Sequence, residues 1–204
     1  MKVFFPHIFY VKIYFMDSKN LHNPCFNKIG YIQVYTGDGK GKTTAGLGLA
    51  LRALGRGWKV LIVMFTKGGS NYGEIHSFSN LSDDIKSRFK VINAGLDRIV
   101  YKNNINEADR TEIQKGWDFA RNAIKNCEYE LVILDEANIA LDLGLIDLEE
   151  MLETLKNKPR GVEIVLTGRN ANEKVIELAH LVSEIKPVKH YWDIGVEARE
   201  GMEF

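Results

Sequence analysis

The sequence predicts an α/β domain built on a mostly parallel sheet with helices on both faces, and three observations carry that expectation. Apolar, β-branched runs of strand length alternate along the chain with stretches of helix length. No internal repeat or low-complexity linker interrupts the alternation after residue 29. A glycine-rich segment, TGDGKGKTT at 36–44, stands where the first strand meets the first helix, at the carboxyl edge where open parallel sheets bind their ligands.

The elements follow in chain order. YIQVY at 31–35 is a short apolar run ending at the glycine-rich loop, and a helix is expected over 43–54. KVLIVMF at 59–65 is apolar without alternation, which marks a strand buried on both faces. A shorter strand is predicted at 90–92 and a long helix at about 107–126. ELVIL at 130–134 repeats the buried-strand pattern and is followed by two acids. A helix over 148–156 opens with Asp147, Glu149, Glu150 and Glu153, read as a solvated face that suits the positive end of the helix dipole. A strand at 162–166, a helix at 173–179 and a strand at 181–185 complete the series.

Composition narrows the function. The 204 residues carry 27 basic and 27 acidic side chains, so the chain suits one domain with its own core, and no nucleic-acid or anionic-membrane partner is expected. Cys25 and Cys127 form no C-x-x-C pair and are expected to be two free thiols in a reducing, cytoplasmic setting. The five histidines show no metal-ligand spacing, and neither a G-x-S-x-G elbow nor an H-E-x-x-H helix is present. Residues 1–28 form an N-terminal extension, and 29–204 the domain. Pro6, His7 and Lys12 interrupt the apolar extension and no small-residue cleavage site follows, which counts against a signal peptide. The segment is read either as a strand or flap packed on the domain, or as the product of a start codon placed too early, with Met16 a candidate true start.

The glycine-rich loop is built to hold phosphates. Its glycines allow backbone conformations that turn successive N–H groups inward, and the following helix adds its positive end. Lys42 reaches the outer phosphates, and the Thr43 hydroxyl suits Mg²⁺. The pattern G-x-x-x-x-G-K-[ST] is not met literally: its first glycine falls on Thr36, and Gly37 arrives one position late. The competing reading is a strand-to-helix turn with no ligand. Against it stands the ELVILDE segment, 130–136, which puts Asp135 and Glu136 at a strand end, where a carboxylate reaches Mg²⁺ held by the loop. The fold expected is therefore a single-domain P-loop NTPase-like (RecA-like) α/β sheet.

GYIQVYTGDGKGKTTAGLGLALRALG, Lys67–Gly68 with Gly73 and Glu74, LVILDEANIALDLGLI, LTGRNA and the tail KPVKHYWDIGVEAREGMEF together resemble one family. It is that of the P-loop ATP:corrinoid adenosyltransferases, which act on cob(I)alamin or cob(I)yrinic acid a,c-diamide. The resemblance runs from about Gly30 to Phe204, and in that family the shortened loop is the normal form. It implies transfer of the 5′-deoxyadenosyl group of ATP to cobalt(I) of a corrinoid, with release of triphosphate and with ATP bound in reversed polarity relative to ordinary P-loop hydrolases. It also implies Mg²⁺ or Mn²⁺, a homodimer, and an electron donor such as a reduced flavoprotein. Carried onto this chain, Gly37, Asp38, Gly39, Lys40, Gly41, Lys42, Thr43 and Thr44 bind triphosphate, and Thr43, Asp135 and Glu136 hold the metal. Lys42, Glu136 and Arg169 serve the chemistry, with Arg52 and Arg169 as further phosphate or nucleoside contacts.

Two departures fall on the corrinoid side. A helix that covers the site in some relatives is not recognisable in residues 1–28. In NAGLDRIVYKNN, 93–104, Leu96 and Arg98 stand where some relatives carry two aromatic side chains, and Tyr101 is the nearest replacement. Leu96 and Tyr101 are read either as the apolar wall that strips an axial ligand from cobalt(II) or as packing of the loop onto the domain. Two other functions share many of these residues: a conventional P-loop kinase or ATPase, and a non-catalytic nucleotide- and corrinoid-binding protein. The D-x-H-x-x-G signature of histidine-ligated corrinoid carriers is absent.

Overall fold

The computed structural model describes residues 28–66, 72–98 and 100–203. The N-terminal extension, apart from Lys28, and the Lys67–Gly68 pair lie outside them. Six strands, β1 (Ile32–Thr36), β2 (Val60–Phe65), β3 (Phe89–Ala94), β4 (Leu131–Asp135), β5 (Glu163–Thr167) and β6 (Leu181–Glu184), form one sheet in the order β3-β2-β4-β5-β1-β6, parallel throughout. The helices are α1 (Lys42–Gly55), α2 (Gly73–Ser79), α3 (Asp83–Lys86), α4 (Glu107–Lys125), α5 (Ala137–Asp142), α6 (Leu148–Lys156) and α7 (Glu173–Leu178). The α/β expectation holds in class and in sheet direction. Among the described residues no helix is long and apolar enough to cross a membrane.

The continuous apolar runs occupy the middle of the sheet. Every residue of β2 and β4 is buried, as expected for strands covered on both faces, and each large side chain there contributes roughly 1.5–3 kcal/mol relative to exposure. On one face α4 brings the fully buried Trp117 to the core, its indole N–H donating to Glu150 at 3.0 Å. Gly116 lets that helix approach β3, because a Cβ there would stand 2.2 Å from the Ala94 Cβ. The start of α4 is closed by a capping box in which Asn106 accepts from the Asp109 N–H and Asp109 accepts from the Asn106 N–H. On the other face Ala50, Ala53 and Leu54 of α1 pack against β2, β4 and β5.

Three short helices, α2, α3 and α5, and a 3₁₀ turn at Tyr191–Ile194 were not expected from the sequence. None is longer than seven residues, too short for a hydrophobic period to show. The free thiol expected at Cys127 is corrected as well. Cys127, 8% exposed at the exit of α4, is disulfide-bonded rather than free. A disulfide that does not rest on a C-x-x-C spacing leaves no local signal in the sequence.

Candidate active site

Strand order gathers the site. Because β1 lies between β5 and β6, with β4 beyond β5, the loops leaving β1, β4, β5 and β6 emerge side by side at the carboxyl edge. The phosphate loop is drawn against the end of β6: the Gly39 N–H donates to Ile185 O and the Ile185 N–H donates to Thr36 O, both at 2.8 Å. Only glycine fits at 37, where φ is +96° and a Cβ would stand 2.5 Å from Ile185 O. Gly41, at φ +121°, makes the turn into α1.

Lys42, 8% exposed in the first turn of α1, donates to the carbonyls of Gly37 and Gly39, each at 2.7 Å. Burial pushes its ammonium below the ordinary lysine range, and the charges of Glu136, Asp38 and Asp135 work against that shift. Both strand-end acids therefore lie within electrostatic reach of the loop lysine. Asp135 is buried and accepts from the Thr167 hydroxyl at 2.6 Å, and the same hydroxyl accepts the Glu136 N–H at 3.0 Å. Glu136 sits in the left-handed region at φ +60°, a conformation that a non-glycine residue keeps only where its surroundings enforce it. Asn138 donates to Gly168 O at 3.1 Å, fixing the turn that carries Arg169, and Arg169 pairs with Asp38 of the loop at 3.6 Å.

These groups line a cavity of about 840 Å³ that takes in loop residues 38–44, Glu136 and Arg169, with Gly73, Glu74 and Ser77 of α2 and tail residues from His190 to Glu203. Lys40 turns toward the tail, donating to the Tyr191 hydroxyl at 3.0 Å, Met202 O at 2.7 Å and the Glu203 carboxylate. Among the described residues no three His, Cys, Asp or Glu side chains gather as a metal site. The donor set of the Thr43 hydroxyl and the Asp135 and Glu136 carboxylates is all oxygen, which fits Mg²⁺ that keeps waters and phosphate among its ligands.

Not every expected residue comes to this cavity. Arg52 is exposed in the last turn of α1, about 15 Å along the helix from Lys42 at 1.5 Å per residue. Leu96 and Tyr101 follow β3, four strand spacings or about 19 Å across the sheet from β1. Arg98 turns inward, donating to the buried Asp109 of the α4 cap and to Asn104 O, and so holds the 93–104 loop rather than a ligand. The residue reading missed Thr167, Asn138, Tyr191 and Glu203. LTGRNA and the tail were visible as motifs, but a strand-end threonine or a tail glutamate shows no role until its partner is seen.

A family model described as ATP:corrinoid adenosyltransferase BtuR/CobO/CobP matches residues 28–204. The chain belongs to this family. It is similar to the corrinoid adenosyltransferase of Escherichia coli K12, 35% identical over 175 residues that make up 86% of each chain. The corrinoid adenosyltransferase CobA of Salmonella typhimurium is 34% identical over 175 residues, again 86% of each. An uncharacterised protein of Nostoc sp. is 39% identical over 197 residues, and the chain spans about half of its length, 52%. The family match covers the loop, Glu136 and the tail that line the cavity, and Asp135 behind them.

Proposed function

We infer that this protein transfers the 5′-deoxyadenosyl group of ATP to cobalt(I) of a corrinoid. One observation carries the reading: the buried Lys42 of a phosphate loop shares a single cavity with Glu136, Arg169 and the C-terminal tail of a chain that belongs to the corrinoid adenosyltransferase family. In the reaction a cobalt(I) electron pair forms the cobalt–carbon bond at the ribose 5′-carbon, and the 5′ carbon–oxygen bond breaks with its pair on the departing triphosphate. The nucleophile belongs to the substrate, so the protein needs neither a nucleophile nor a general base. Its residues align the 5′-carbon and stabilise charge on the leaving group.

Loop N–H groups other than that of Gly39, which Ile185 O already accepts, and the Lys42 ammonium would meet the triphosphate, with Arg169 beside them. Thr43, Asp135 and Glu136 would hold Mg²⁺ or Mn²⁺, which supplies further neutralisation of the phosphates when bound. Thr167 holds both strand-end acids in place for that task. A reduced flavoprotein as electron donor and a homodimer belong to the same reading.

The test is incubation with Mg-ATP and chemically reduced cobalamin. The expected result is the light-sensitive spectrum of the adenosyl product with one triphosphate per turnover. ADP and phosphate without a cobalt–carbon product would overturn the reading in favour of a conventional P-loop kinase or ATPase.

A further inference from the structure

The two lysines of the phosphate loop have different surroundings. Lys42 points inward to the loop's own carbonyls, whereas Lys40 points away from them into the C-terminal tail. An ammonium has three hydrogens, and the Tyr191 hydroxyl, Met202 O and the Glu203 carboxylate accept all three from Lys40. Glu203 also accepts from the Tyr191 hydroxyl and from the Arg199 N–H at 2.8 Å, while the Arg199 guanidinium lies 4.8 Å over the Tyr191 ring. A lone surface ion pair stabilises little. Here several groups of one tail converge on a lysine 151 to 163 residues earlier in the chain, which makes a network.

The placement of the tail depends on that network. Residues 190–203 contain only one four-residue 3₁₀ turn, so no ladder of backbone bonds anchors them to the sheet. Yet they form the wall of the cavity facing the loop, and two large apolar side chains of that wall, Trp192 and Met202, are 67% and 63% exposed. An exposed apolar wall beside a phosphate site suits a wide, largely apolar ring better than it suits water.

We propose that Lys40 and Glu203 are a positioning pair: Lys40 acts as the peg on which Glu203 latches the tail, setting the Trp192–Met202 wall against which a corrinoid ring rests. Lys40 is then not a phosphate ligand, and the triphosphate is left to Lys42 and the loop amides. The identity of the ring rests on the adenosyltransferase reading; the coupling of residue 40 to residue 203 does not.

The experiment compares the full chain with Lys40→Ala, Glu203→Gln, the double variant, and the charge-swapped Lys40→Glu/Glu203→Lys protein. Equilibrium binding of Mg-ATP and of cobalt(II) cobalamin is measured for each, together with hydrogen exchange across 190–203. Each single variant should weaken cobalamin binding roughly tenfold and leave the Mg-ATP Kd within about threefold. The double variant should be no weaker than either single one, and the swapped pair should recover most of the loss. Exchange across 190–203 should rise equally in both single variants. That readout stays valid even if the wild-type protein makes no adenosyl product, the result that would count against the enzymatic reading instead. The proposal is overturned if Lys40→Ala weakens Mg-ATP binding tenfold or more while Glu203→Gln changes nothing, if the two losses multiply in the double variant, or if exchange of the tail is unchanged.

Discussion

At the residue scale, Lys42 and Glu136 are the positions on which the phosphate reading turns. Lys42 was legible because G-K-T at a strand-to-helix junction has few other uses, and the structure adds that it is buried and aimed at the loop. Lys42→Ala removes a charge-assisted contact to a leaving polyphosphate, so kcat/KM should fall by about a hundredfold or more, the equivalent of a few kcal/mol. Near-normal turnover in that variant would show that the triphosphate lies elsewhere. Glu136→Gln keeps size and removes charge, so a metal-holding role predicts reduced activity that raised Mg²⁺ partly restores. A fixed loss at every Mg²⁺ concentration, with ATP affinity unchanged, would move the metal site away from Glu136. Thr167 was illegible for a physical reason. Its hydroxyl acts only by bridging Asp135 and Glu136, and that bridge exists only once β4 and β5 are paired.

At the scale of elements, the strands were readable because each buried run carries its own signal of length and branching. The predicted strand at 90–92 extends to Phe89–Ala94 in the structure, since pairing with β2 recruits Phe89 and also Asn93 and Ala94, whose own strand propensity is weak. The tail was the opposite case: it has no period, and its order comes from Lys40. Lys40 first, then the Tyr191 hydroxyl, holds the Glu203 carboxyl far below the usual carboxylate range. A carboxyl depressed in the folded state contributes stability that is present above its unfolded value and fades as pH falls toward the folded one. Glu203 therefore stays ionised where ordinary glutamates, near pH 4.3, take up protons. Hydrogen-exchange protection of residues 190–203 should be the same at pH 5 as at pH 7, after correction for the intrinsic exchange rate, and should fall only below about pH 4. Loss of protection already at pH 5 would mean that another group, not Glu203, secures the tail.

At the scale of the whole molecule, strand order separates two regions that sequence alone had placed in one site. The loop after β1 and the 93–104 loop after β3 share the carboxyl edge of the sheet, but β2, β4 and β5 stand between their strands. Distance along the chain does not reveal that spacing; only the crossovers do. A corrinoid resting on the tail wall at its β1 side and reaching along the edge toward β3 would meet Leu96 and Tyr101 at its other side, away from the triphosphate. With Arg98 held inward by Asp109 and Val100 buried, Leu96 and the exposed Tyr101 are the apolar groups that the described residues of the loop offer. Cobalt(II) is hard to reduce while an axial ligand donates electron density, and an apolar wall that displaces the ligand eases the reduction without touching the later transfer. Leu96→Ala and Tyr101→Ala should therefore slow adenosylation that starts from cobalt(II) by about tenfold or more, and leave that of chemically pre-reduced cobalt(I) nearly unchanged. Both rates are followed by the appearance of the adenosyl spectrum under identical Mg-ATP, with a reduced flavoprotein supplying the electron to cobalt(II) in the first assay. Equal slowing from the two starting states, or none from either, would confine Leu96 and Tyr101 to packing their loop and leave ligand displacement to another part of the molecule.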